Sequence, residues 1–576
     1  MKMKTSYNGN AIIKLAVCCG LLFSACRKDS FLNVDNLSAV SSTTAFATED
    51  AADLVLNDVY YYLPDEYDLV FDPFDNWTDN SMTGFSWSTS ANAARTKATI
   101  TSNTVFSYNW GGGYQKSSSW LNWDYLYTAI RKCNVFIAGL DASSLDDSYK
   151  EQRLGEAKVL RAYFYHIVWM LYGGGPIITV PDNRAEDGDS IYHARATFDE
   201  NYAFLEEELT EAADLLPDNS GNDGGGRVTK GAALTLRGWI ELFYASPLYN
   251  TSNDLTRWAA AAATNKLVMQ LGYSLYPTYD ELFLTTGGNS NNNEGIFYRE
   301  YLGLKAGSTI TNYQGPAYVG QQWLSWGGST PTQELVDDYA MANGKAITDA
   351  GSGYDAQNPY ASREPRFRQS ILYNGNTFNG VEYISAVGSG YNEIDLSDAT
   401  DQTNTGYAMK KCIDTTVNIF DWGGPSSQTY YYFRYAEVLL NYAEAENEAE
   451  GPDASVYDAL DQVRTRAGIP TFSEIYPNVS QDSMRQLIRR ERRVELAFEG
   501  KRYFDLLRWK IAEDNLNHVM HGTKVTPTSS GYTYDVIEVI PSGSPQWSFD
   551  ASKNYLLPIP LSIIGQNPEL TQNPNY

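Results

Sequence analysis

The sequence predicts a mainly α-helical protein in which helical hairpins are joined by long irregular loops and a few short strands. Apolar residues recur at alternating spacings of four and three in several segments, as amphipathic helices require. Short polar turns separate successive segments of this kind, which favours paired helices. Other stretches are rich in Gly, Ser, Thr and Asn, carry many aromatic residues and have no helical period. The 576 residues could hold two to four average domains or one large helical domain.

Residues 1–26 have the features of an export signal. Lysines precede a nine-residue apolar run at 15–23. This run is too short to span a bilayer as a permanent helix. The sequence Phe-Ser-Ala-Cys at 23–26 resembles a lipobox, in which small residues precede a cysteine that is lipidated after cleavage, although Leu is commoner than Phe at its first position. We therefore predict a signal peptide over 1–26 and a lipid anchor on Cys26.

Helical periodicity follows the tether after Cys26. The predicted helices are 48–62, 120–140, 149–171, 197–216, 229–245, 255–271, 433–449 and 454–468. The fourth begins with Thr197 and has Glu200 three residues later, which predicts a capping box. The glycine run at 173–175 follows a helix instead of opening one, so it is interpreted as a helix end and not as a phosphate-binding loop.

Residues 485–509 combine apolar clusters with eight basic and four acidic residues. Their spacing predicts a helix that ends at Gly500 and a second short helix from about Tyr503. The planar fork of arginine bonds carboxylates in pairs, so we predict that Arg492, Arg493 and Glu495 form ion pairs that fix helix against helix. Nucleic-acid binding is the alternative for a basic segment, but the interleaved acids and a net charge of -27 argue against it.

Two aromatic loops, at about 64–116 and 285–330, are the predicted binding loops. Aromatic residues make up 14% of the chain, which is more than a core requires. Loop aromatics can serve as platforms for sugar faces, whereas those within predicted helices (Trp120, Trp123, Trp169, Trp239 and Trp258) are assigned to the core. The candidate ligand contacts are Phe85, Trp87, Trp110, Tyr318, Trp323, Trp326 and Trp422. Loop anchoring is the alternative role for each of them.

No motif for catalysis, metal binding or a cofactor stands out. The 70 acidic residues make carboxylate pairs unavoidable, but no local pattern selects one as a glycosidase pair. His518 and His521 are three residues apart without a third ligand or an HExxH motif. Cys133 and Cys412 remain after the signal segment; they could pair in an oxidising compartment, but we favour two separate buried thiols.

Seven segments resemble the SusD/RagB family, the surface glycan-binding lipoproteins of Bacteroidetes-type bacteria. The longest is RRERRVELAFEGKRYFDLLRW, which occupies 489–509. The others are GEAKVLRAYFYHIVWMLYGGGPIIT, GRVTKGAALTLRGWIELFY, PTQELVDDYAMANGK, REPRFRQSI, FRYAEVLLNYAEAENEA and YLLPIPLSIIGQNPELTQNPNY. They follow the family's order over almost the whole mature chain.

This resemblance implies one SusD-like domain over 27–576, built from tetratricopeptide-like helical hairpins. It also implies a non-catalytic protein, anchored by lipid at the outer face of the outer membrane, with its ligand site on loops from the N-terminal third and the middle of the chain. Such a protein captures a glycan and delivers it to a TonB-dependent SusC-like transporter, without a cofactor or nucleic acid. A surface glycan-cleaving enzyme and a relative that captures peptides or glycopeptides remain the alternatives. The sequence does not name the glycan.

Overall fold

The structure is a computed structural model that describes residues 42–68, 73–84, 97–104, 122–218, 226–284, 292–301, 308–394, 396, 403–414, 426–540 and 547–576. Six residues singled out from the sequence lie outside these ranges: Cys26, Phe85, Trp87, Trp110, Trp120 and Trp422. Their predicted roles therefore stay predictions.

The described residues are largely helical, as predicted. The principal helices are α1 (Glu49–Tyr61), α2 (Trp123–Asp141), α3 (Asp147–Tyr172), α4 (Phe198–Leu215), α5 (Lys230–Ala245), α6 (Leu255–Met269), α7 (Tyr435–Ala449), α8 (Ala454–Arg466), α9 (Gln481–Glu495) and α10 (Arg502–Arg508). Short helices occupy Ser42–Ala45, Arg184–Asp187, Ile310–Gln314, Gln333–Asp338, Pro365–Ser370, Phe472–Ile475, Ala512–Asn515 and Leu561–Gln566. The eight helices predicted between residues 48 and 271 and between 433 and 468 are all present, with each end within three residues of its predicted position.

The capping signals in the sequence explain several helix ends. The Thr197 hydroxyl accepts a hydrogen bond from the Glu200 amide, and the Glu200 carboxylate accepts one from the Thr197 amide, which completes the predicted capping box of α4. Gly173 ends α3 in the left-handed conformation, with φ of 78°. The glycine run is therefore a helix end, as predicted.

Helices α1 to α6 pack in sequence order, each against the next. Helix α6 then packs against α7, although the residues between Met269 and Tyr435 separate them in sequence, and α7 packs against α8 and α9. The inserted segment between α6 and α7 thus leaves the helical stack and returns to it. Its residues build a second hydrophobic core, which includes Phe283, Tyr339 and Tyr383.

The twelve strands in the described residues are short and form six antiparallel pairs. The pairs are β1 (Ser81–Thr83) with β5 (Ser329–Pro331), β2 (Gly295–Glu300) with β10 (Thr429–Arg434), β3 (Tyr318–Val319) with β4 (Gln322–Trp323), β6 (Ile371–Leu372) with β9 (Ala408–Met409), β7 (Thr377–Phe378) with β8 (Val381–Glu382), and β11 (His521–Thr528) with β12 (Gly531–Glu538). The β2–β10 pair joins the beginning of the inserted segment to its end.

Helix α9 ends at Glu495, before the predicted end at Gly500. Asp75 binds the residues that follow the helix, because its carboxylate accepts hydrogen bonds from the amides of Phe498 (3.0 Å) and Gly500 (3.2 Å). Phe498 and Gly500 both have positive φ, at 61° and 71°. A Cβ on Gly500 would lie 2.7 Å from the Glu66 carboxyl group, so this turn requires glycine for space as well as for conformation.

The predicted interior residues are buried. Trp123, Trp169, Trp239 and Trp258 are at most 5% exposed, and all four pack in the helical core. Cys133 and Cys412 are separate buried thiols, as favoured from the sequence. Burial raises the pKa of the Cys412 thiol to about 12. In the described part of the chain no helix is both long and apolar enough to cross a membrane.

Candidate functional site

Residues 308–331 contain three of the predicted ligand contacts. The sequence predicts an irregular segment here, but it contains the helix Ile310–Gln314 and strands β3 to β5. Backbone hydrogen bonds hold it in shape, because the amides of Trp326 and Gly328 donate to the carbonyls of Asn312 (3.0 Å) and Tyr313 (2.7 Å). The loop is therefore a defined platform that can position aromatic side chains.

A tight hairpin orients Tyr318 and Trp323. These two residues face each other across the β3–β4 pair, and Gly320 takes the positive φ of 58° that the turn requires. The buried side chain of Asn392 fixes Tyr318, because its oxygen accepts from the Tyr318 amide at 3.1 Å and its nitrogen donates to the Tyr318 carbonyl at 2.8 Å. Hydrogen bonds from a distant segment thus set the position of the hairpin.

The aromatic patch consists of Tyr318, Trp323, Trp326 and Tyr391, all of them partly exposed. The rings of Trp323 and Trp326 are 5.1 Å apart and nearly perpendicular, at 84°. Tyr318 packs against Tyr391 with a centroid distance of 5.2 Å. The structure therefore brings the three described candidates into one region. It adds Tyr391, which sequence reasoning missed within a polar, glycine-rich stretch.

The described beginning of the first predicted binding loop lies in the interior. Phe74, Trp77 and Met82 are buried, and the 3₁₀ helices Glu66–Asp68 and Phe74–Trp77 replace the predicted open loop. This part of 64–116 packs against the C-terminal region, where Phe74 stacks on Tyr503 at 5.6 Å. The aromatic side chains described in 64–84 are therefore buried, and the binding role of the loop at 64–116 stays a prediction.

The predicted ion pairs of the C-terminal signature are present and buried. Glu495 is fully buried and accepts from Arg434 at 2.7 Å, from Arg366 at 2.9 Å and also from Arg466. Burial raises the pKa of Glu495, but the three guanidinium groups outweigh it and hold that pKa well below its usual range. The Glu495 carboxylate is thus ionised and joins the segments that carry these three arginines.

Arg492 and Arg493 complete this arrangement. Arg492 donates to Asp505 at 2.8 Å, and Arg493 lies 3.2 Å from Asp79, which also binds Arg502 at 2.8 Å. Burial opposes ionisation of Asp79, yet Arg493 and Arg502 keep its pKa well below the usual range. These guanidinium groups point into the protein, so they offer no surface to nucleic acid.

A small, partly open cavity of about 60 Å³ lies between the helical stack and the 64–84 segment. Glu66, His166 and Lys501 are among its lining residues. Burial and the nearby Asp75 charge raise the pKa of Glu66 to about 8, and burial lowers the pKa of His166 to about 3. Small-molecule sites usually measure about 300–1,000 Å³, so this cavity fits a water or two and not a sugar.

The groups with catalytic or metal-binding chemistry do not converge on the patch. The partly buried Glu206 of α4 and the buried Glu241 of α5 form an acid pair, bridged by Arg237 at 3.0 and 3.1 Å. His521 is bound to Glu334 at 2.7 Å. Within the residues that the structure describes, no cluster of three His, Cys, Asp or Glu side chains could hold a metal ion.

Known proteins match both halves of the chain. A model described as the SusD family matches residues 293–576, and a model described as starch-binding, associating with outer membrane, matches residues 31–241. The SusD-like protein P2 of Formosa agariphila is 25% identical over 473 residues, which cover 79% of this chain and 78% of that protein. A solved SusD-like protein of Bacteroides fragilis has a TM-score of 0.75 and 26% identity, over 92% of this chain and 98% of that one. A SusD-like carbohydrate-binding protein of the same species has a TM-score of 0.72 and 24% identity, over 92% and 100%.

The fold and the patch define a helical-repeat protein with a candidate ligand-binding loop inserted into its stack. Together with the matches, they confirm the resemblance found in the seven sequence segments: the chain belongs to the SusD family of carbohydrate-binding proteins. The description of the N-terminal model associates that family with the outer membrane.

Proposed function

We propose that this chain is a non-catalytic lipoprotein at the outer-membrane surface that binds oligosaccharide or polysaccharide and passes it to a SusC-like TonB-dependent transporter. The aromatic patch is the observation that carries the proposal. It presents partly exposed rings on a hairpin whose residues Gln321 and Gln322 are exposed. Sugar rings combine apolar C–H faces with a rim of hydroxyl groups, and stacked aromatics with neighbouring amides match both features.

The geometry of the two indoles favours one stacking platform. The rings of Trp323 and Trp326 are perpendicular, so they cannot both lie flat against successive rings of a straight, ribbon-like chain. In an edge-to-face pair one ring supports the other. The described patch therefore suits a single sugar ring or a bend in a glycan, with one indole as platform and the other as its support.

Trp323→Ala and Trp326→Ala test the location of the site. Loss of a central aromatic anchor costs about 2 kcal/mol or more, which is a roughly 30-fold loss of affinity. The measurement is calorimetric titration with the glycan that the parent binds, on protein whose folding is verified by circular dichroism. Tyr192→Ala is the matched control, because Tyr192 is also a partly exposed aromatic residue but lies in the connection between α3 and α4.

Parental affinity in both tryptophan variants would place the site elsewhere, with the loop around Trp422 as the next candidate. The same preparations separate the alternative functions. Release of reducing ends from the bound glycan would indicate a glycan-cleaving enzyme. Binding to a peptide or glycopeptide array, without binding to free glycans, would indicate a peptide-capturing relative.

A further inference from the structure

The aromatic patch lies on a segment without charge. Residues 306–333 contain no Asp, Glu, Lys or Arg, although charged residues make up 20% of the chain. Tyr318, Trp323 and Trp326 all belong to this segment. The charged residues that flank it in sequence are Lys305, outside the described residues, and Glu334, which is bound to His521. Hydrogen-bonding capacity here comes from amides, hydroxyls and the backbone.

Two segments that contact the β3–β4 hairpin carry acidic residues. A Cβ on Gly320 would lie 3.2 Å from Val381, so β8 packs beside the β3–β4 turn, and Glu382 follows Val381 with its side chain exposed. Glu393 follows Asn392, which binds Tyr318, and the Glu393 carboxylate accepts a hydrogen bond from the amide of Gly388 at 2.6 Å. The basic Lys410 reaches β7, where its ammonium donates to the Thr377 carbonyl at 3.1 Å.

We propose that the patch selects uncharged glycans and rejects glycans that carry carboxylate or sulfate groups. This inference rests on the proposed function and names the substrate class of the same site. Recognition of an anionic sugar needs arginine or lysine, which bind carboxylates and sulfates through charge-assisted hydrogen bonds. The described patch offers aromatic faces on an uncharged segment, and the segments that contact it carry glutamates, in a chain of net charge -27. An anionic glycan would lose hydration there without gaining a cationic partner from residues 308–333, the described part of the uncharged segment.

Affinity electrophoresis with two sets of polysaccharides tests this selectivity. The neutral set is amylopectin, laminarin, galactomannan and xyloglucan; the anionic set is alginate, polygalacturonate, carrageenan and chondroitin sulfate. We expect retention only by members of the neutral set. A retained neutral polysaccharide is then compared with its own C6-oxidised form, which has the same backbone and added carboxylates. The oxidised form should bind at least tenfold more weakly at low salt, and high salt should narrow the difference.

A lysine next to Trp323 in sequence tests the electrostatic cause. Gln322 is exposed and adjacent to Trp323 in β4, close enough for a charge to act within the screening length of about 10 Å at 0.1 M salt. Gln322→Lys should therefore raise the affinity for the oxidised form relative to the neutral form, whereas Gln322→Glu should lower it further. If the parent binds anionic polysaccharides and Trp323→Ala or Trp326→Ala does not, the proposed selectivity is wrong but the proposed binding site is supported. Failure of every polysaccharide to bind, or binding that both tryptophan variants preserve, would overturn the proposed site and this inference with it.

Discussion

Replacement of Glu495 by glutamine should destabilise the protein without affecting glycan recognition. Glu495 belongs to a connected buried network of five carboxylates and five cations. The carboxylates are Glu294, Glu364, Glu491, Glu495 and Glu499; the cations are Arg366, Lys411, Arg434, Arg464 and Arg466. The charges balance in the parent, so the substitution leaves one buried positive charge without compensation.

The expected magnitude follows from this imbalance. Removal of one partner from a buried pair costs about 3–5 kcal/mol. An unfolding entropy of about 2.1 cal/mol/K per residue amounts to roughly 1.2 kcal/mol/K for about 550 residues, so Tm should fall by about 3–4 °C. Differential scanning calorimetry and urea denaturation measure the two quantities. Asp482→Asn is the matched control, because Asp482 lies on the same helix with 86% of its side chain exposed, and its loss should change stability by less than about 0.5 kcal/mol.

Two outcomes would refute this reasoning. A Tm within 1 °C of the parent would mean that the network does not hold the helices together. An unchanged Tm with lost glycan binding would assign the ligand site to the C-terminal signature instead of the aromatic patch.

Three further predictions address the anchor, the buried acid and the turn. Cys26→Ala should move the protein from the membrane fraction to the soluble fraction of cells that lack the partner transporter; retention there would exclude the lipid anchor. Because of Glu66, the free energy of unfolding should fall by about 4 kcal/mol as pH rises from 5 to 8. Over this range the carboxyl group is ionised in the unfolded chain, whereas in the folded protein, with a pKa of about 8, it keeps its proton. The Tm of Glu66→Gln should therefore rise relative to that of the parent as pH increases from 5 to 8. Parallel curves of Tm against pH for the two proteins would contradict the raised pKa of Glu66. Gly500→Ala should lower stability by about 1–3 kcal/mol and more than Gly451→Ala, because both glycines have positive φ but only at Gly500 would a Cβ meet other atoms; equal losses would exclude the contact with Glu66.

Local signals in the sequence were sufficient for most of the helical stack. Apolar spacing located the helices, and Thr197 with Glu200 located a helix start, because both depend on residues within a few positions of each other. The density of arginine and glutamate at 485–509 predicted ion pairs, although their partners, such as Arg366, come from distant segments.

The end of α9, which was predicted too late, and Tyr391, which was not predicted, both depend on contacts between residues far apart in sequence. Helix α9 ends early because Asp75, more than 400 residues before it, binds the amides that would otherwise continue the turn. Tyr391 joins the aromatic patch because the adjacent Asn392 binds Tyr318, 74 residues away. Neither contact leaves a periodic or compositional trace near the residues that it fixes, so single-sequence reasoning has no means to find it.

The return of the chain to the helical stack at α7 has a consequence for the order of folding. The main contacts among α2 to α6 join neighbours in sequence and require the closure of connections of at most 25 residues. The α6–α7 contact closes a loop that comprises the whole inserted segment between Met269 and Tyr435. Pairing of β2 with β10 brings the two ends of this segment together. Loop-closure entropy therefore delays this step, and we expect the N-terminal hairpins to gain hydrogen-exchange protection before the α6–α7 junction does. A nascent chain released before residue 435 would contain the aromatic loop but not the helix on which the second half of the stack is built.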